Sequence, residues 1–332
     1  MGAQRPALPR LPRDPDLRAR LGRVLRARLP RRRRRPRAPR PEGEAVSSIA
    51  AVLPRRAWAA SLRGVPVLSW VGIGLLVAIV VLSLLAPVIA SWSPTEIDFE
   101  AIDVAPGVAG HLLGTDANGM DLLSRILHAA RLDLGVAVGA VAIAVLVGGT
   151  LGAISGYVGG WLDEIAMRVV DVFQAFPAFV LALAVVTALG RDTADLILVI
   201  ALVNIPPYIR LMRAEVRSTR EHGYVEAARC AGESWPSILL RHVVPNALRP
   251  LFVVAPLNCG WAILTLAGLS ALGFGVELPE PEWGAMIAAG AEDIVAGRWW
   301  ASVVPGVALF VTVLAFSLVG EGFVDRRERG SR

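Results

Sequence analysis

At 332 residues, 55% of them hydrophobic and with a mean hydropathy of +0.56, the chain is too apolar for a soluble protein and long enough for several membrane spans. Its net charge of +6 rests on arginine alone, because lysine is absent. Without lysine there is no Gly-Lys-Ser/Thr phosphate loop and no Schiff base, so ATP hydrolysis and imine chemistry are excluded from this chain. Cys230 and Cys259, the only two cysteines, match neither a disulfide framework nor a thiolate metal site.

Residues 1–63 form an arginine- and proline-rich tail, including Arg31 to Arg35. Too little apolar material and too many like charges predict a disordered cytoplasmic segment that holds the N-terminus inside. Binding to anionic lipid is a second reading, and nucleic-acid binding a weaker one, since aromatic residues do not interleave with the arginines beyond the lone Trp58. The tail is too long and too basic for a cleavable signal peptide. A start further along would need a non-AUG codon, as no methionine follows before Met120.

Val65 to Ala90 is the first predicted span, and Ser91 to about Ala130 an acidic outer segment. Within it Gly114-Thr115-Asp116 predicts a turn, with Thr115 or Asp116 capping a helix over Leu122 to Leu132. His111 and His128 lack companions at metal-ligand spacing. Leu132 to Ile154 is the second span, with Gly135, Gly139, Gly148, Gly152 and Gly156 lining one helix face for close approach. Tyr157 to Trp161 turns the chain on the inner side. Asp171 follows, either as part of a gate or as an interfacial partner of Arg168 three residues earlier. The third span runs to Leu189, and Gly190 to Ala194 forms an outer turn. The fourth, Ala194 to Met212, is expected to break at Pro206-Pro207, with Asn204 facing a pore or another helix. Leu248 to Leu272 is the fifth span and contains Asn258; Gly273 to Trp299 is an acidic outer loop; Trp300 to Val319 is the sixth span. The charge pattern predicts six spans with both termini cytoplasmic.

Between the fourth and fifth spans lies a polar island. Tyr224 to Ala231 consists of good helix formers, and Gly232 suits a left-handed helix terminus. Ser234 is placed to cap a second short helix, Pro236 sits tolerably in its first turn, and Pro245 is expected to stop it. Seven arginines from Arg210 to Arg249 surround this knob and assign it to the cytoplasm.

Glu226-Ala227-Ala228, three residues and then Gly232 resemble the "EAA" loop of permease subunits in bacterial binding-protein-dependent ABC importers. Tyr224 to Ala228 with Arg241-His242-Val-Val-Pro245-Asn246 is similar to the C-type permeases of the peptide and nickel branch. Further matches are His111 to Asp116, Met167 to Asp171 with Phe176-Pro177, Leu269 to Gly273 and Trp283-Gly284, in the family's order over about Val65 to Arg327. The chain departs at Gly119-Met120-Asp121, where the family has Gly-Arg-Asp, and at Thr265-Leu266-Ala267, where an intramembrane glutamate is usual.

The resemblance implies an all-α, six-helix MetI-like (type I importer) permease. Its expected divisions are the tail, a first helix with its outer segment at 64–131, a five-helix core at 132–324 with the coupling loop 213–247, and a C-terminal tail at 325–332. Tyr224, Glu226, Ala227, Ala228, Gly232, His242 and Pro245 would form the coupling loop. Asp171, Asn204 and Asn258 are the candidate pore or gate residues. The implied partners are a homologous second permease, two ATP-binding subunits that use ATP and Mg, an extracytoplasmic solute-binding protein and the bilayer of the inner membrane, but no nucleic acid. No catalytic, cofactor or metal residue is assigned to this chain. A secondary transporter or a membrane scaffold without ATPase coupling is the alternative. Import selectivity would lie mainly with the binding protein, so the solute stays open among dipeptide, oligopeptide, nickel and opine.

Overall fold

The computed structural model describes residues 67–330 except residue 278, so the N-terminal tail lies outside the described residues. The chain is all-α: α1 (Val67–Leu84), α2 (Ala86–Ile89), α3 (Leu122–Val158), α4 (Gly160–Gln174), α5 (Ala178–Leu189) and α6 (Thr193–Thr219) come first. After them come α7 (Gly223–Cys230), α8 (Trp235–Ile238), a π-turn (Leu239–Val243), α9 (Val244–Ala247), α10 (Arg249–Ala271), α11 (Trp283–Ala291), a short 3-10 turn (Glu292–Ile294) and α12 (Trp300–Gly330). By length and composition α1, α3, α6, α10 and α12 each suffice to cross a membrane.

Helices α3 and α6 form the centre. Gly139 faces Ile197, Gly148 faces Ile205 and Tyr208, Gly152 faces Ile209 and Met212, and Gly156 faces Arg213 and Val216. The near-constant sequence offset means that the two helices run in the same direction. The chain must therefore return between them, and α4 and α5, bent by 89° about the break at Phe176-Pro177, are the only helices there. Counting that bent pair as one crossing gives six. By the same logic α12 runs antiparallel to α10, with Gly260 against Val313 and Gly320 against Leu257.

The glycine face works at one end only. Gly135 meets nothing and Gly139 makes an ordinary contact, whereas a Cβ at Gly152 would lie 2.5 Å from the Ile209 carbonyl oxygen. Backbone cannot yield as a side chain can, so Gly152→Val should cost about 1–3 kcal/mol through forced helix separation. The yield of monodisperse protein in detergent should fall well below that of Gly135→Val. Equal yields would show that α3 and α6 do not need this approach.

Four local expectations are corrected. Helix α3 is continuous from Leu122, and its cap is Asp121, whose carboxylate accepts the Ser124 amide at 2.7 Å. Thr115 is turned away, donating to the Ala101 carbonyl and accepting the Val104 amide; Asp116 accepts the amides of Asn118 and Met120. Pro206-Pro207 does not break α6, because packing on the glycine face of α3 holds the helix through the pair. Pro245 does not stop the chain either. Within the π-turn the Val244 amide reaches back five residues to Leu239, a change of register that absorbs the missing proline amide, and the helix runs on into α10. Ser234 stands at the start of α8 with the right backbone, but its hydroxyl makes no capping bond.

At the acidic end, residues 92–121 and 279–300 are joined into one cap. The buried Arg125 guanidinium donates to the Pro94 and Pro279 carbonyls, Arg298 pairs with Asp103 and Asp293, and the Trp300 indole donates to Thr115. His111, which sequence spacing leaves without companions, is buried between Asp121 (2.9 Å) and Asp98 (3.5 Å) and stacks on Trp92.

Candidate functional site

The knob is built at the opposite, arginine-rich end. Helix α7 ends in a complete Schellman motif: the Gly232 amide bonds Arg229 and the Glu233 amide bonds Ala228, while Gly232 adopts φ +80°. Val225, Ile238, Leu239, Val243 and Ala247 point inward and are buried with the main core. That seat leaves Glu226, Ala227, Arg229, Gly232 and Pro245 exposed, Tyr224 largely so and Ala228 half-buried. His242 Nε2 lies 2.8 Å from a Glu233 carboxylate oxygen, and the Asn246 amide donates to the His242 carbonyl and reaches Tyr224 Oη at 3.4 Å. The seven sequence-predicted loop residues thus come together on one small body.

What seats that body was missed by sequence reasoning. Asp163, at the start of α4, is only 5% exposed and accepts hydrogen bonds from the guanidinium groups of Arg213 and Arg217 and from Ser155 Oγ. One carboxylate thereby joins α3, α4 and α6. Arg220 donates to the Gly156 and Tyr157 carbonyls and satisfies the open end of α3. Tyr157 stacks on Trp235 with centroids 6.3 Å apart, and the Arg229 guanidinium lies 5.7 Å from the Tyr157 ring centre. The available signal was the spacing of Arg213, Arg217 and Arg220 along one helix face, which a count of basic residues does not use.

The three candidate pore residues are not brought together. Asp171 pairs with Arg210 of α6 at 2.5 Å rather than with Arg168, which pairs with Glu164 at 3.7 Å. Asn204 donates to the Ile200 carbonyl of its own helix. Asn258 donates to Tyr208 Oη at 2.8 Å, tying α10 to α6. Among the described residues no group of three or more His, Cys, Asp or Glu is arranged to hold a metal ion.

Helices of membrane-spanning length, a bent return helix and a polar knob between two crossings define a multi-pass membrane protein. Residues 148–332 match the family described as binding-protein-dependent transport system inner membrane component, and the chain belongs to that family. It is similar to the dipeptide transport system permease protein of Alkalihalophilus pseudofirmus, with 37% identity over 258 residues covering 78% of this chain and 84% of the relative. The glutathione transport system permease protein of Pectobacterium atrosepticum is 39% identical over 228 residues, 69% of this chain and 75% of the relative. A probable D,D-dipeptide transport system permease protein of Escherichia coli K12 is 39% identical over 251 residues, 74% and 84% of the two chains. The protein is a permease subunit of a binding-protein-dependent ABC importer, a multi-pass protein of the inner membrane.

Proposed function

We propose that this chain forms half of a translocation pore for short peptides and couples it to separate ATP-binding subunits through the knob at 224–245. The observation that carries the reading is the knob's construction: a backbone locked by the Schellman turn, an inner face seated in the core, and an outer face left bare. A surface helix without a partner has no need of so rigid a seat. The arginine-rich end then lies in the cytoplasm with both termini, and the acidic cap faces the binding protein. Closure of the ATP-binding subunits on ATP and Mg would push α7, and the Asp163 cluster would pass the movement to α3, α4 and α6 as one block. Peptide as the solute is supported by what the relatives are named for, dipeptides and glutathione.

The test is co-expression with the neighbouring permease and ATP-binding genes, purification by a tag on this chain, and native mass spectrometry. We expect one copy of each permease with two ATP-binding subunits, and ATP-driven dipeptide uptake once the complex and its binding protein are reconstituted. Purification without any ATP-binding subunit, or uptake driven by an ion gradient alone, would overturn the reading in favour of a secondary transporter.

A further inference from the structure

A cleft of about 540 Å³ opens where α4 bends into α5, against the proline-bearing stretch of α6. Phe173, Phe176, Leu181, Val203 and Pro207 provide apolar walls, and the only charged residues lining it are Asp171 and Arg210. Their pair bridges α4 and α6, yet the two side chains remain 58% and 48% exposed. Exposed ion pairs contribute little to a fold, so this one opens readily, unlike the buried Asp163 cluster. It also stands within a turn of Pro207, at the edge of the apolar run of α6, where a solvated carboxylate and guanidinium cannot rest against hydrocarbon. Such a pair requires water or a polar surface over the cleft rather than lipid tails. Its volume is that of an ordinary small-ligand site.

We propose that Asp171 and Arg210 form a contact site for the charged ends of short peptides in transit, the carboxylate taking the α-ammonium and the guanidinium the α-carboxylate. A zwitterion is the ligand whose two charges match the one anion and one cation that this pair frees when it parts. The apolar walls accept side chains without choosing among them, which suits a pore that serves many peptides. This site rests on the peptide-importer reading and adds a substrate contact within the permease itself.

The experiment uses the complete nucleotide-free complex without its binding protein, reconstituted in lipid, and saturation-transfer NMR with the dipeptide Ala-Phe. The wild-type complex should transfer saturation to Ala-Phe. Transfer should drop at least tenfold for N-acetyl-Ala-Phe-amide on the wild type, and for Ala-Phe on the Asp171→Asn and Arg210→Gln complexes. Equal signals from free and blocked peptide, no signal with the wild type, or full signals from both variants would overturn the site. The blocked-peptide comparison needs no variant and so stands even where a variant assembles poorly. ATP-driven uptake by the wild-type complex is measured in parallel, with the binding protein added back. Absent uptake with intact NMR contact would defeat the importer reading alone, and normal uptake without contact would defeat the site alone.

Discussion

Replacing Asp163 with alanine should destabilise the chain by about 2–3 kcal/mol, read as a lower melting temperature in detergent by intrinsic tryptophan fluorescence. The carboxylate is buried and is the shared acceptor for Arg213, Arg217 and Ser155. Its removal leaves two guanidinium groups, one turn apart on α6, with no anion between them and unties α4 from α3 and α6. Breaking a fully buried pair costs more, about 3–5 kcal/mol, but Arg213 and Arg217 both reach water and can turn out to it. Asp163→Asn keeps an acceptor oxygen at the same place and should lose about half as much. Arg217→Gln should cost less than Arg213→Gln, because Arg217 makes one of the three arginine bonds and Arg213 makes two. Melting of Asp163→Ala at the wild-type temperature would show that the cluster does not hold the three helices together.

Gly232→Arg should abolish most ATP-driven uptake, a fall of tenfold or more, while the chain still inserts and folds. The structure makes this test cleaner than sequence alone would. At φ +80° a side chain costs about 1–2 kcal/mol, but a Cβ there meets no neighbouring atom, so the strain stays local to the turn. The arginine instead extends from the bare face of the knob, into the surface on which an ATP-binding subunit would dock. Gly232→Asn, which tolerates the left-handed region better and projects less, should fall between the two. If the Gly232→Arg complex retains its ATP-binding subunits and transports like the wild type, docking at this face is wrong.

The value of the parallel α3–α6 pair lies in what it constrains. Because both helices run the same way, the bent α4–α5 return belongs to the transmembrane design, and its break sits beside the Asp171–Arg210 cleft. The Asp163 cluster grips the first turn of α4, and Asp171 near its other end is held only by an exposed pair. Helix α4 is therefore anchored firmly at the arginine-rich end and loosely at the bend. That difference places compliance at the contact site proposed above.

Sequence by itself determined the class, the crossings and the knob. Apolar runs of about twenty residues, arginine concentrated in alternate connections, and Glu226-Ala-Ala with Gly232 are local signals, each readable within one segment. Even the helix terminus at Gly232 was legible, because a left-handed residue after a run of helix formers depends on neighbours only. Partners across the chain were not. Asp163 lies 50 residues from Arg213, Asp171 lies 39 from Arg210, and nothing in either segment names the other. Prolines misled in the same way: Pro206, Pro207 and Pro245 read locally as breaks, yet close helix packing and a π-turn supplied by the tertiary structure carry the chain through them. Periodicity and propensity act over one helical turn, whereas ion pairing and glycine-face packing act between segments that only folding brings within a few ångströms.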